Sequence, residues 1–378
     1  MKKAWKRVLF TCGGTAGHVN PALALAQRIG EECPGAEFLF VGAERGIERD
    51  LLEKAGYPFR TVHISNFHRS FAVRELRHNL VSAFNLMRAP AEAKKILLDF
   101  RPEAVIGTGG YASYPAIKAA AQLGIPTAVH ESNMIPGLTT QLLEPVADRI
   151  MVGFEACRAN YKHPEKVIVT GTPVRGDFFK RTKAEAKREL GVDDGRPLVV
   201  SFWGSLGASG MNRQMADFIA LEVKKAPFHH IHSAGKAGFP VIRALLQDRG
   251  VSIPDGSPVR LVEYLYDMPL VMRAADLVIS RAGASTLSEL TALGVPAILV
   301  PSPYVTNHHQ EKNARALEDA GGAVVLTEAE SSGQRLFQTV SDILRDPARL
   351  ERMSACMASL GIRDATERIL DTVEAIAK

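Results

Sequence analysis

Cysteine is scarce: Cys12, Cys33, Cys157 and Cys356 lie far apart in a chain of 378 residues. No CxxC pair occurs among them, so the spacing supports neither a zinc cluster nor a thioredoxin-type redox motif. Long hydrophobic runs are also missing. No apolar stretch approaches the roughly 20 residues a bilayer-spanning helix requires. The apolar run behind the basic start MKKAWKR ends at Thr11, too short for a secretory leader, and reads as a first strand. Reduced thiols are expected, with the chain in the cytosol or on the membrane surface from the cytosolic side. Neither sign of charge dominates: Lys+Arg 46 against Asp+Glu 41 leave a net charge of +5, which bears on partners only where it is concentrated. The phosphate signatures GxxxxGK[ST] and GxGxxG are absent, so ATPase and NAD readings lose their usual support. Asp-x-Asp, the usual carboxylate pair holding a metal on a nucleotide sugar, is absent too.

What is present is apolar material for two cores. Hydrophobic residues make up 46% and charged residues 23%, which excludes a disordered or fibrous chain. Short apolar runs alternate with amphipathic stretches. The strand candidates are Arg7–Thr11, Glu37–Val41, Ala104–Gly107, Thr127–His130, Arg149–Val152 and Val167–Thr170, then Pro197–Trp203, His229–Ala234, Val259–Val262, Leu277–Ser280, Ala297–Val300 and Ala323–Leu326. Such runs between helical stretches predict an α/β protein built from βαβ units with parallel sheets. The first helix is expected to begin near Pro21. The pattern starts twice, at LFTCGGTAGHVNPALALA and at VVSFWGSLGASGMNRQMADF, with a hinge expected near Thr172–Gly176. This predicts an N-terminal domain over 1–175, joined by a final helix of about 360–378, and a C-terminal domain over 176–359. Ligands of such sheets bind outside the carboxyl ends of the strands, here in an expected cleft between two facing domains.

Three glycine-bearing loops follow strand candidates: Gly13–His18, Gly107–Tyr111 and Gly204–Ala208. Glycine lets the backbone come close to a ligand, and the N–H groups opening the next helix favour phosphate. Three such loops at equivalent places point to a diphosphate ligand. The stretch from Ser280, SRAGASTLSELTALG, ends a strand and opens a helix that carries Glu289. A carboxylate there suits two neighbouring sugar hydroxyls, or it only balances the helix dipole. Asn307, His308, His309 and Gln310 crowd a later loop. Adjacent histidines point apart on a helix and no carboxylate partners them, which favours sugar or base contacts over a metal. His18, beside the first loop, suits a base, a phosphate donor or a helix cap. His130-Glu131-Ser132-Asn133 follows another strand and is expected to face the same cleft.

Seven segments carry a resemblance. GGTAGHVNPALALA, GTGGYASYPA, HESNMIPGLTT, GTPVR, GSLGA, SRAGASTLSEL and HHQEKNA stand in the order found in the MurG family, from about Arg7 to Leu326. The resemblance implies a GT-B fold, two Rossmann-like domains with a final helix returning to the first. It implies metal-independent, inverting transfer of GlcNAc from UDP-GlcNAc to the muramoyl 4-hydroxyl of undecaprenyl-pyrophosphoryl-MurNAc-pentapeptide (lipid I), forming lipid II for peptidoglycan. It further implies no cofactor, a peripheral place on the cytoplasmic side of the cell membrane, and partners among cell-wall synthesis proteins. Carried over by position, Thr15, Ala16 and Gly17 would contact the donor sugar and diphosphate, and Asn133 and Gln310 the GlcNAc. Arg175 and Ser205 would contact the nucleotide and the Leu265 backbone the uracil. Ala284, Ser285, Thr286, Leu287, Ser288 and Glu289 would hold diphosphate and ribose. His18 and Glu131 are the catalytic candidates, and Gly109, Gly110 and Tyr111 would face the acceptor. Ala16, Ser132 and Trp203 depart from the family's commoner Gly, Gln and Gly, and none of these removes a polar contact.

Positive charge concentrates from Asn66 to Leu80 and on to Arg88, where arginines interleave with Phe67, Phe71, Phe84, Leu86 and Met87. That composition suits docking on anionic lipid, or an ordinary helix with a solvated basic face. No nucleic-acid module accompanies it. Three rival readings share the same features: a UDP-GlcNAc 2-epimerase, another lipid-acceptor glycosyltransferase of this fold, and a UDP-sugar sensor or basic scaffold without turnover.

Overall fold

The structure, a computed structural model, describes residues 4–44, 48–65, 88–204, 208–225, 227–254, 256–305 and 308–377. The chain forms two compact units. Met1–Val174 and Ile362–Lys378 make up the first, and Arg175–Gly361 the second.

In the first unit seven parallel strands are β1 (Arg7–Thr11), β2 (Glu37–Ala43), β3 (Phe59–Val62), β4 (Ala104–Gly107), β5 (Thr127–Glu131), β6 (Arg149–Val152) and β7 (Val167–Val169). Their order across the sheet is β3-β2-β1-β4-β5-β6-β7. The strand period of two places Val8 and Phe10 in one core, with Phe40, Leu25 and Ile29, and Leu9 in the other, with Val41, Val105 and Ile117. Both faces are covered, which is why these strands read as continuous apolar runs. The final helix, Ala365–Ile376, presses Ile369 and Val373 into the first of these cores, while Ile376 is half-buried. Strand β3 has no counterpart among the strand candidates. Its FRTV sequence buries only one residue fully, so the apolar pattern is too weak to announce an edge strand. The first helix starts at Ala16, not near Pro21, and carries Pro21 inside its span Ala16–Glu32.

The second unit holds six parallel strands: β8 (Leu198–Phe202), β9 (His229–Ser233), β10 (Val259–Val262), β11 (Leu277–Ser280), β12 (Ala297–Leu299) and β13 (Ala323–Val325), in the order β10-β9-β8-β11-β12-β13. Its core is rich in aromatic and sulfur side chains, among them Met211, Met215, Phe218 and Phe228. A polar chain runs through it. The register sets Ser201 opposite His232, and the Ser201 hydroxyl lies 2.6 Å from His232 Nδ1 and 2.8 Å from His230 Nε2. His230 Nδ1–H in turn donates to the buried Glu222 carboxyl at 2.7 Å. With that proton placed, Ser201 donates to His230 and accepts from His232, so one hydroxyl bridges two imidazoles, while His232 Nε2 stays buried without a hydrogen-bond partner among the described residues.

Burial pushes His232 down to about 3. Its unfolded form takes up a proton near pH 6.5 and its folded form does not, so stability falls as pH drops below about 6.5. Urea unfolding at pH 7.5 and pH 5 is expected to show this loss, with a smaller pH difference in His232→Gln. Ser201→Ala strands two buried imidazole nitrogens and is expected to cost about 1–3 kcal/mol in the same assay.

Candidate active site

Each sheet gathers its loops where strands end. In the first unit the neighbouring strands β1, β4 and β5 lead into Gly13–Thr15, Thr108–Tyr111 and Ser132–Gly137. The first two loops interlock. Thr108 N–H donates to Thr11 O at 3.0 Å, and Thr108 Oγ1 donates to the His18 carbonyl at 2.6 Å. Gly109 and Gly110 both have positive φ, 110° and 83°. A Cβ on Gly109 would stand 2.6 Å from His18 Cδ2, and one on Gly110 would collide with the Gly13 carbonyl oxygen. Glycine is therefore required twice over, for conformation and for contact.

His18 sits in the first turn of the helix that opens after this loop. Its Nδ1 lies 2.8 Å from the Gly13 carbonyl oxygen and 3.3 Å from Thr15 Oγ1. A carbonyl only accepts, so Nδ1 carries the proton and Nε2 keeps a lone pair when the ring is neutral. Thr15 is the N-cap without a side-chain cap bond, and Ala16 and Gly17 open the helix. Tyr111 packs near Gly14, where a Cβ would lie 3.5 Å from Tyr111 Cε1, and burial raises its phenol above the usual range.

At the end of β5 the Glu131 carboxyl accepts four bonds. Asn133 N–H and Nδ2–H reach one oxygen at 3.1 and 3.0 Å, while Gly137 N–H and Thr140 Oγ1–H reach the other at 3.0 and 2.7 Å. These occupy the acceptor sites of an ionised carboxylate. Glu131 thus shapes the turn that presents Asn133, which argues against a free base at this position. His130 is fully buried; its Nε2–H donates to Gly171 O at 2.9 Å, and burial holds it below its ordinary value.

In the second unit β8, β11 and β12 are neighbours, and the loops after them line a cavity of about 890 Å³. Trp203, Gly204, Arg281, Thr286, Tyr304 and Gln310 belong to its wall. Gln310 Oε1 accepts from Ser302 N–H at 2.9 Å, which leaves the amide NH2 as a donor. Ser205 and Asn307 lie outside the described residues, as does segment 66–87. The helix Ala284–Leu293 follows N-cap Gly283, which has no side chain to cap the first-turn N–H groups. Ala284, Ser285 and Thr286 occupy that turn, where the helix dipole favours anions. Leu287 and Ser288 do not fit the ligand contacts expected for them. Leu287 is fully buried with its N–H bonded to Gly283 O at 3.0 Å, and Ser288 Oγ donates to Ala284 O at 3.0 Å. The helical period turns both inward while it leaves Glu289 half-buried. Burial pushes the Glu289 carboxyl up to about 7, and Arg175 pulls against that. Arg175 also sits 5.8 Å from the Phe178 ring centre. Leu265 lies in the loop after β10, its side chain buried between the exposed Tyr264 and Tyr266.

Two side chains of these sites escape sequence reading. Glu48, fully buried, reaches the first glycine loop, accepting from Gly14 N–H at 3.2 Å. Arg281 closes the cavity wall by donating to Val300 O at 3.0 Å and to Glu328 at 2.8 Å, with its guanidinium 6.0 Å from the Trp203 ring centre. GIERD reads as an ordinary charged helix start, and only the fold carries Glu48 under the loop.

Residues 8–152 match the model of the glycosyltransferase family 28 N-terminal domain, and residues 198–369 that of the family 28 C-terminal domain. The fold and the loops at its strand ends thus define a family 28 glycosyltransferase. Two relatives carry the name UDP-N-acetylglucosamine–N-acetylmuramyl-(pentapeptide) pyrophosphoryl-undecaprenol N-acetylglucosamine transferase. That from Acetivibrio thermocellus is 39% identical over 98% of this chain and 98% of its own, and that from Listeria monocytogenes 38% identical over 98% and 100%. The chain belongs to this transferase family, MurG. The crystal structure of Acinetobacter baumannii MurG is similar, with a TM-score of 0.77 at 26% identity, covering 98% of this chain and 99% of that one. A UDP-GlcNAc 2-epimerase from Neisseria meningitidis bound to UDP-GlcNAc shares the fold alone, at a TM-score of 0.61 and 17% identity over 97% and 99%.

Gly110→Ala forces a side chain into a positive-φ position against the Gly13 carbonyl. It is expected to lower stability by about 1–3 kcal/mol, read by thermal or urea denaturation.

Proposed function

We propose that this chain transfers GlcNAc from UDP-GlcNAc, with inversion and without a metal, to the muramoyl 4-hydroxyl of undecaprenyl-pyrophosphoryl-MurNAc-pentapeptide. The product would be lipid II, for peptidoglycan synthesis. The observation that carries this reading is identity of 39% along 98% of the chain to a transferase named for that reaction. The residues supply the chemistry. His18 Nε2, left with its lone pair by the Nδ1 bond, takes the proton of the attacking hydroxyl, or, in the imidazolium form, donates to the acceptor phosphate. Gly109, Gly110 and Tyr111 face the acceptor diphosphate beside it. Thr15, Ala16 and Gly17 form the helix start near the donor diphosphate, and Asn133 and the Gln310 amide bind the GlcNAc hydroxyls.

On the donor side the N–H groups of Ala284 to Thr286, with Arg175 and Ser205, stabilise the charge that grows on departing UDP. Glu289 accepts the two ribose hydroxyls, and the Leu265 backbone reads uracil. Glu131 acts by holding the Asn133 turn. The membrane-side reading has support within the first unit: Leu138 and Leu142 are exposed, four residues apart on the helix Leu138–Leu143, with exposed Val146 beyond them. No helix among the described residues is long and apolar enough to cross a membrane. From the family resemblance we place the chain peripherally on the cytoplasmic face of the membrane, against anionic lipid and other cell-wall synthesis proteins.

The direct test is UDP release from UDP-GlcNAc in EDTA, with and without a short-chain lipid I analogue. Release that needs the acceptor, with a disaccharide product, is expected. Conversion of UDP-GlcNAc to its 2-epimer without acceptor would favour the epimerase reading instead, and binding without turnover a sensor. A pH series adds a second check. The Glu289 carboxyl, near 7, must be ionised to accept both hydroxyls, so KM for UDP-GlcNAc is expected to rise about tenfold from pH 8 to pH 6. Glu289→Gln should flatten that dependence and keep the weaker binding throughout.

A further inference from the structure

Beneath the first glycine loop lies a carboxylate that the mechanism above does not use. Glu48 opens the helix Glu48–Ala55, and its side chain is sealed from solvent. One oxygen accepts from Ala43 N–H at 3.1 Å and the other from Gly14 N–H at 3.2 Å. Two glycines leave it room: a Cβ on Gly13 would stand 2.8 Å from Glu48 Oε1, and one on Gly42 would stand 3.0 Å from Glu48 Cγ. The Gly14 N–H and the Gly13 carbonyl belong to one peptide group, and no peptide bond here is cis, so the two point in opposite directions. On the far side the Gly13 carbonyl accepts the His18 Nδ1 proton at 2.8 Å. Carboxylate, peptide and imidazole therefore stand in line, joined by two hydrogen bonds through a single planar amide.

We propose that Glu48 is a positioning residue for His18, acting through the Gly13–Gly14 peptide. This rests on His18 being the acceptor-side base, as argued above. A negative charge at the N–H end of an amide polarises it and makes its carbonyl a stronger acceptor, and burial keeps water from screening the effect. The stronger carbonyl holds the proton on Nδ1 and the ring in place, which leaves Nε2 as the lone pair turned toward substrate. The arrangement does for His18 what a carboxylate bonded directly to an imidazole does elsewhere, with a backbone amide inserted between them.

The test joins a spectroscopic reading to kinetics. In protein labelled with 15N-histidine, the His18 ring is assigned by its disappearance in His18→Ala. The wild type is expected to show a protonated Nδ1 and a bare Nε2, and Glu48→Gln to shift both signals toward mixed tautomers. Turnover in Glu48→Gln should fall about tenfold while KM for UDP-GlcNAc stays within about twofold, since the donor contacts are untouched. The double variant His18→Ala/Glu48→Gln should be no slower than His18→Ala alone. Unchanged His18 nitrogen signals in Glu48→Gln, or a further equal loss in the double variant, would overturn the proposal. If His18→Ala turns over normally, the base reading fails, and the nitrogen signals still decide whether Glu48 sets the ring. Should Glu48→Gln not fold, Glu48→Asp, which keeps the charge but withdraws it by one methylene, carries the same measurements.

Discussion

The Gly13–Gly14 peptide is the point on which the first unit's site depends. Gly110 packs against its carbonyl, His18 bonds to that same carbonyl, and Glu48 bonds to its N–H from below. Loops from β1 and β4 and the helix after β2 meet on one amide plane. Such convergence is available only where parallel strands end side by side, because their carboxyl ends release loops in the same direction. The three contacts also explain one another. Without side chains at positions 13 and 110 the backbones approach, and their approach sets the imidazole.

On the proposed reading the second unit faces a different problem, holding an anionic nucleotide. Its helix Ala284–Leu293 begins behind Gly283, which has no side chain to cap the first turn. Glu289, one turn further on, is half-buried and carries a raised carboxyl pKa held in check by Arg175. Arg281 lines the cavity that Thr286 also lines, yet its two terminal nitrogens donate to Val300, Pro301 and Glu328, so it braces the wall. On the proposed reading, charge that meets ligand and charge that holds the frame are thus divided between Arg175 and Arg281.

Much of this was readable in advance, for a physical reason. Parallel strands covered on both faces are mostly apolar, so most strands among the described residues show as short apolar runs; β3, half-covered at the edge, does not, and β9, HHIHS, is buried through its polar chain. Glycine loops at strand ends are equally legible, because glycine meets no steric penalty at positive φ, as at Gly14, Gly109, Gly110 and Gly204. The reading overreached where it treated a motif as a block. Ala284 to Glu289 looks uniform in sequence, and the helical period buries Leu287 and Ser288 among them.

Local composition therefore determined the α/β class, the repeated sheet and the loops that carry His18, Asn133, Thr286 and Glu289. Those properties follow from backbone sterics and from the period of burial, which each short segment expresses by itself. Tertiary structure decided which polar groups are already occupied. Glu131 is consumed by its own turn, Arg281 by a wall, and Glu48, in an undistinguished charged stretch, ends under the first glycine loop. A side chain's partners lie tens of residues away, and only packing brings donor and acceptor within hydrogen-bond reach.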